Sequence, residues 1–199
     1  SAPAPATQQQ RETQVQTRTH SDFTATDALG FVAMARGFGN KMVERAGDRM
    51  TEQQRALILR PRPIEMRTVD RLHWMDSEPR EPRAHSWFRT VAPLPSIEQN
   101  AALHRAVIAY ASDYTLLGTS ALPHGLSWMR GELVGASLDH AIWFHRPARA
   151  DEWLLYATDA PWSGGGRGFN RGRIFNREGE LVASVAQEGM MRKRAKQDG

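Results

Sequence analysis

From residue 61 onward the chain alternates stretches of period two with one long stretch of helical period. Ile64-Glu65-Met66-Arg67-Thr68-Val69 alternates apolar and polar side chains, and Ser86-Trp87-Phe88-Arg89-Thr90-Val91 does so more loosely. This predicts two strands separated by a Pro-containing loop around 76–83. Residues 97–117 carry Leu103, Ala106, Val107, Tyr110, Ala111, Tyr114 and Leu117 at helical spacing, which predicts one long helix with that stripe against the core. Ser96 suits its N-cap, and Glu98 brings a carboxylate to the positive end of the helix dipole. Four apolar-rich strands are predicted at 133–146, 152–160, 167–177 and 180–192, the last two joined by the hairpin turn Arg177-Glu178-Gly179-Glu180. Two strands, a helix and four strands in succession predict an α+β fold, an antiparallel sheet wrapped around one helix.

The rest of the chain differs in texture. Residues 1–21 are Ala, Pro, Gln, Thr and Arg with almost nothing apolar, so they are expected to form a disordered, linker-like tail. Residues 22–60 hold scattered apolar positions broken by Gly30, Gly37, Gly39 and Gly47, which predicts a helical or irregular lead-in. The folded domain is expected at 61–194, with a short tail at 195–199. The chain has 199 residues, 40% of them hydrophobic, enough for one core of the usual domain size. It contains no cysteine, which removes disulfides, thiolate catalysis and Cys-ligated zinc and fits a reducing compartment. No apolar run approaches the roughly 18 residues of a membrane span, and the chain reads as soluble and cytoplasmic. The net charge of +4 is concentrated at Arg167, Arg171, Arg173, Arg192, Lys193, Arg194 and Lys196, a distribution that suits either an anionic, phosphate-bearing ligand or a solvated surface.

Candidate chemistry lies on the helix and the late strands. Asp113 stands about 80° off the apolar stripe among Ala106, Ala109 and Ser112, small neighbours that leave room for a ligand. It reads equally as a surface aspartate near the helix end. Gln187 shares a strand face with Leu181, Ala183 and Val185, where a neutral amide holds a water or carbonyl, or is satisfied by backbone. In Ser137-Leu138-Asp139-His140-Ala141-Ile142-Trp143-Phe144-His145-Arg146-Pro147 a continuous strand puts Ser137 and Asp139 on one face and His140 on the other. That parity argues against a Ser-His-Asp triad and against a metal shared by His140 and His145, and makes His140 a hydrogen-bonded core histidine. Gly164, Gly165, Gly166, Gly168 and Gly172 spell no phosphate-loop motif and predict a bulged, mobile loop opening a strand. Trp143, Trp153 and Trp162 in alternating strands read as core and not as a nucleic-acid platform.

The chain resembles the type II acyl-CoA thioesterases, the TesB-like double-hotdog family. The matching segments are Arg62-Pro63-Ile64-Glu65-Met66-Arg67, Trp87-Phe88-Arg89, Leu94-Pro95, His104-Arg105-Ala106-Val107-Ile108-Ala109-Tyr110-Ala111-Ser112-Asp113, the run 137–147 and Gln187-Glu188-Gly189, in the family's order across about 57–194. The resemblance implies a hotdog fold and hydrolysis of acyl-CoA to CoA and a carboxylic acid, with no metal or redox cofactor. It also implies a water nucleophile held by Asp113, Ser137 and Gln187. Asp113 would polarise the water or accept its proton, Ser137 and Gln187 would orient it, and a backbone N–H would stabilise the oxyanion. Serine at 137 replaces the common threonine, keeping the hydroxyl without its methyl.

Family members carry two hotdogs in tandem with the site at their junction, and this sequence matches only the second. The expected partners are therefore acyl-CoA and a second hotdog, supplied by another chain or by a second copy in a homo-oligomer. The alternative is a non-catalytic acyl-CoA-binding or assembly half. A hotdog hydratase ranks low, since no Asp is followed five residues later by His with the usual Asn-Pro.

Overall fold

A computed structural model describes residues 51–52, 55–56, 62–69, 78–128 and 130–194. The tails expected at 1–21 and 195–199, and nearly all of the lead-in at 22–60, lie outside the described residues. The elements are β1 (Ile64–Thr68), β2 (Arg83–Thr90), α1 (Ile97–Asp113), a 3-10 helix (Leu117–His124), β3 (Leu133–Ser137), β4 (Ala141–Phe144), β5 (Leu154–Gly164), β6 (Arg167–Phe175) and β7 (Leu181–Lys193). All seven strands form one sheet in the order β1-β2-β5-β6-β7-β3, with β4 also on β7. Every pairing is antiparallel. The sheet curls around α1 in the predicted hotdog arrangement. Among the described residues no helix is long and apolar enough to cross a membrane.

The core lies between the sheet and the helix. Phe88, Leu154, Tyr156, Ile174, Val182, Ala183 and Val185 from the strands meet Ile108, Ala111 and Leu116 from the helical segment. Burying each large side chain contributes about 1.5–3 kcal/mol, against about 0–1 kcal/mol for an exposed ion pair such as Arg171–Asp159. Burial therefore fixes the fold, and the outer-face ion pairs add little.

The helix differs from its sequence reading in length and in facing. It ends at Asp113 and not at residue 117, and the chain continues into the 3-10 helix. Its buried residues are His104, Ile108, Ala111 and Ser112, a stripe rotated by roughly a third of a turn from the predicted one. Ala106 and Tyr110 are exposed, and Leu103, Val107 and Tyr114 are half-buried. Beside Ile108, the true core face carries small or hydrogen-bonded groups, and the stronger apolar stripe lies on the flank.

The strand predicted at 133–146 is two strands. Ser137 pairs with Gly189 and Ala141 with Ala186, so four steps along β3–β4 match three along β7. Leu138 N–H and Asp139 N–H both donate to Glu188 O, at 2.9 and 3.4 Å, which is a β-bulge. The extra residue reverses side-chain alternation beyond it. The aromatic run is also exposed and not core: Trp143 is 54% exposed and Leu138 57%. Trp162 is likewise exposed.

Two loops anchor the helix start. His104 Nδ1 accepts Ala150 N–H at 3.0 Å, so its proton sits on Nε2, which donates to Pro95 O at 2.8 Å. Asp151 Oδ2 accepts Leu94 N–H at 3.1 Å, and its carboxylate takes both Nε and Nη2 of Arg149. The Arg149 guanidinium, aided by Leu94 N–H, holds the Asp151 carboxyl well below the usual carboxylate range. The expected mobile glycine loop is a tight hairpin: Gly165 and Gly166, at φ 55° and 76°, connect β5 and β6 with Gly164 paired to Arg167.

Because the folded-state pKa of Asp151 is depressed, its stabilisation is present above the unfolded value near 4 and is lost as pH falls below it. Asp151→Asn is expected to cost about 1–2 kcal/mol at neutral pH, a gap that closes below about pH 4, read by urea denaturation at several pH values. At Gly172 an added Cβ would run into the Tyr156 ring. Gly172→Ala is expected to destabilise by about 1–3 kcal/mol in the same assay.

Candidate active site

Three elements converge at the C-terminal end of α1. Asp113 closes the helix, Ser137 ends β3, and Gln187 lies within β7, two residues along from Gly189 opposite Ser137. Asp113 Oδ1 accepts from Ser137 Oγ at 3.1 Å and from Gln187 Nε2 at 2.5 Å. All three residues predicted from the sequence therefore meet at one carboxylate oxygen. The Asp113 side chain is 52% exposed, whereas Gln187 is fully buried behind it. Asp113 Oδ2 has no partner among the described residues.

His140 joins this cluster, against the reading from continuous-strand parity. The β-bulge reverses alternation before it, so the ring turns to the side that carries Ser137. Gln187 Nε2 lies 2.9 Å from His140 Nδ1, and His140 Nε2 lies 2.8 Å from Ser112 Oγ. The proton positions follow from one constraint, that a carboxylate only accepts. The Gln187 atom facing Asp113 is then the amide nitrogen, and the same nitrogen faces His140, so Nδ1 accepts. The ring proton sits on Nε2 and is donated to Ser112 Oγ, whose own hydrogen goes to Ala109 O at 2.8 Å. Gln187 Oε1 is left buried with no donor among the described residues. Tyr156 Oη donates to Ser112 O at 2.8 Å beneath this chain. Burial, with the Asp113 charge, pushes the Tyr156 hydroxyl far up, so it stays a donor.

In front of Asp113 lies a cleft of about 470 Å³ lined by Tyr110, Asp113, Tyr114, Ser137, Leu138, Asp139 and His140. Tyr110 and Tyr114 meet edge to face with centroids 5.1 Å apart, and Tyr114 Oη donates to Tyr110 Oη at 2.9 Å. Burial and the Tyr110 hydroxyl push the Tyr114 pKa up to about 12. One wall is thus apolar and uncharged at neutral pH, and the other carries the carboxylate. The sequence reading assigned both tyrosines to the core; their i, i+4 spacing astride Asp113 is the signal that places them with it. Asp139 does not enter the carboxylate cluster. Its Oδ1 accepts Glu188 N–H at 2.7 Å and holds the bulge. His145 pairs with Ser184 Oγ at 2.9 Å, apart from His140. Of the basic residues near the C-terminal end, Arg171 is held by both oxygens of Asp159 and Arg167 lies 3.2 Å from Glu188.

Residues 43–191 match the model of the acyl-CoA thioesterase C-terminal domain. The chain belongs to this family. It is 41% identical over 130 residues to acyl-coenzyme A thioesterase 8 of Mus musculus, a match that covers 65% of this chain and 39% of the mouse protein. It is 30% identical over 153 residues to acyl-CoA thioesterase 2 of Haemophilus influenzae, covering 77% of this chain and 52% of that protein. Among solved structures, acyl-CoA thioesterase II TesB2 from Mycobacterium marinum superposes with a TM-score of 0.56 at 42% identity, covering 67% of this chain and 50% of that one. The chain therefore spans between about two fifths and about half the length of these relatives. It corresponds to the C-terminal hotdog of the family.

The bulge gives a direct check on Asp139. Asp139→Ala is expected to cost about 1–3 kcal/mol, since it strips a charge-assisted bond from Glu188 N–H. Chemical denaturation reads the cost, and loss of the Glu188 amide's protection from hydrogen exchange locates it.

Proposed function

We propose that this chain is the C-terminal half of an acyl-CoA thioester hydrolase, converting acyl-CoA and water to CoA and a free carboxylic acid. The observation that carries the reading is the meeting of Ser137 and Gln187 on Oδ1 of an Asp113 carboxylate that opens onto a cleft. With Oδ1 occupied by two donors, Oδ2 takes a proton from a water in the cleft. The water oxygen attacks the thioester carbonyl carbon, the tetrahedral adduct collapses with cleavage of the C–S bond, and the thiolate leaves as CoA and takes the proton back from Asp113. Ser137 and Gln187 orient the water through Asp113, by holding Oδ1 so that Oδ2 is the oxygen turned to the cleft. Tyr110, Tyr114 and Leu138 offer an apolar wall for the acyl chain.

The cleft lies beside the exposed β4 strand and the half-exposed apolar flank of α1, and we assign both surfaces to a second hotdog. That partner is another chain or another copy of this one, and the reaction belongs to fatty-acyl metabolism in the cytoplasm. Family membership supports the acyl-CoA chemistry, and the lack of cysteine fits a reducing compartment.

A second reading is favoured by the length of the match, which covers about half or less of the curated relatives. In it the chain binds acyl-CoA or a partner hotdog without turnover. Thiol release from acyl-CoA separates the two. The hydrolase reading expects Asp113→Asn to lower kcat by about 10²–10⁴-fold, with acyl-CoA binding by calorimetry retained. Ser137→Ala is expected to cost less, about tenfold, because Gln187 still holds the carboxylate. An Asp113→Asn rate equal to wild type contradicts the reading, and tight binding with no turnover in the paired wild-type protein favours the second.

A further inference from the structure

The motif histidine is not used by the water mechanism above, yet it contacts the cluster at both ring nitrogens. A primary amide has two N–H donors and one carbonyl acceptor. Asp113 Oδ1 takes one N–H of Gln187 at 2.5 Å, which leaves the second without a role. His140 Nδ1 stands 2.9 Å from the same nitrogen, with a lone pair directed by the Nε2–H bond to Ser112 Oγ and on to Ala109 O.

We propose that His140 is a positioning residue whose Nδ1 accepts the second amide N–H of Gln187 and locks that amide with nitrogen toward Asp113. The proposal rests on the hydrolase reading for its catalytic consequence. Rotating the fully buried amide would set Oε1 against two acceptors, the Asp113 carboxylate and His140 Nδ1, with no compensating donor among the described residues. With the lock in place, the nitrogen always supports Asp113 Oδ1 and Oε1 always faces away from it. Without His140 only one acceptor opposes rotation. Asp113 would then spend part of its time against an amide oxygen, which repels the carboxylate and alters its basicity. The imidazole therefore acts on the carboxylate through Gln187.

Two substitutions separate this role from packing. The carboxamide oxygen of asparagine lies two bonds from Cβ, where histidine carries Nδ1. Glutamine reaches instead toward the Nε2 end. His140→Ala is expected to lower kcat for thiol release about tenfold with KM unchanged. His140→Asn is expected to restore most of the loss, and His140→Gln to restore little. Asp113→Asn is run alongside. If it abolishes turnover while His140→Ala is indistinguishable from wild type, the positioning role is overturned and the hydrolase reading stands. If His140→Gln rescues as well as His140→Asn, bulk and not the Nδ1 acceptor matters, and the role is again overturned.

The lock is also read without turnover. The Gln187 side-chain amide gives two N–H signals in a ¹⁵N–¹H spectrum, each shifted by its acceptor. Both are expected to be shifted in the wild-type chain, one to collapse in His140→Ala, and it to return in His140→Asn. Signals unchanged by His140→Ala contradict the proposal even if the chain shows no hydrolysis.

Discussion

The hydrogen bond from Gln187 to Asp113 Oδ1 ties the end of α1 to the middle of β7, the strand that pairs with β3, β4 and β6. Across this contact an exposed carboxylate meets a fully buried amide. A buried donor without a partner costs about 1–3 kcal/mol, more than the roughly 0.5–1.5 kcal/mol a satisfied bond contributes, so both N–H groups of the amide need acceptors. Asp113 serves it from the helix and His140 from the bulge, and Ser112 returns the chain of donors to the helix backbone. The network stands only if helix, β7 and bulge hold their mutual register. The core of Phe88, Tyr156 and Ile174 supplies that rigidity.

The β-bulge at Leu138 and Asp139 is the device that makes one strand serve two purposes. Before it, β3 ends with Ser137 against Asp113; after it, β4 resumes pairing with β7 one residue out of step. The Asp139 side chain pins the bulge through Glu188 N–H. Thus the polar content of the 137–140 run is divided: Ser137 and His140 face the carboxylate, and Asp139 keeps the backbone in place.

Much of this was legible in the sequence. Alternation at 64–69 and 86–91, the helical spacing at 97–117 and the apolar-rich late strands define the α+β arrangement, because periods of 2 and 3.6 are hard to confuse over such lengths. The trio Asp113, Ser137 and Gln187 came through resemblance, and strand pairing brings them together. His140 was misassigned because parity assumes an unbroken strand, and a one-residue bulge carries no compositional mark in Leu138-Asp139. The helix facing was misassigned for a different reason. Hydrophobicity identifies a face that avoids water, and α1 has two such demands, one met by the sheet and one by a flank left half-exposed. The more apolar face is the second. Tyr110 and Tyr114, which line the cleft, belong to it.

That flank, the exposed Trp143 and Leu138 and the half-length match to relatives carry one implication for the proposed hydrolase. In that proposal one chain supplies the carboxylate cluster, and a second hotdog supplies the remaining walls around the thioester. The most direct test measures thiol release per chain from acyl-CoA across a dilution series in which native mass is followed from paired to single chains. The account predicts that specific activity falls in step with the paired fraction. A single-chain species that hydrolyses acyl-CoA as fast as the pair would contradict it.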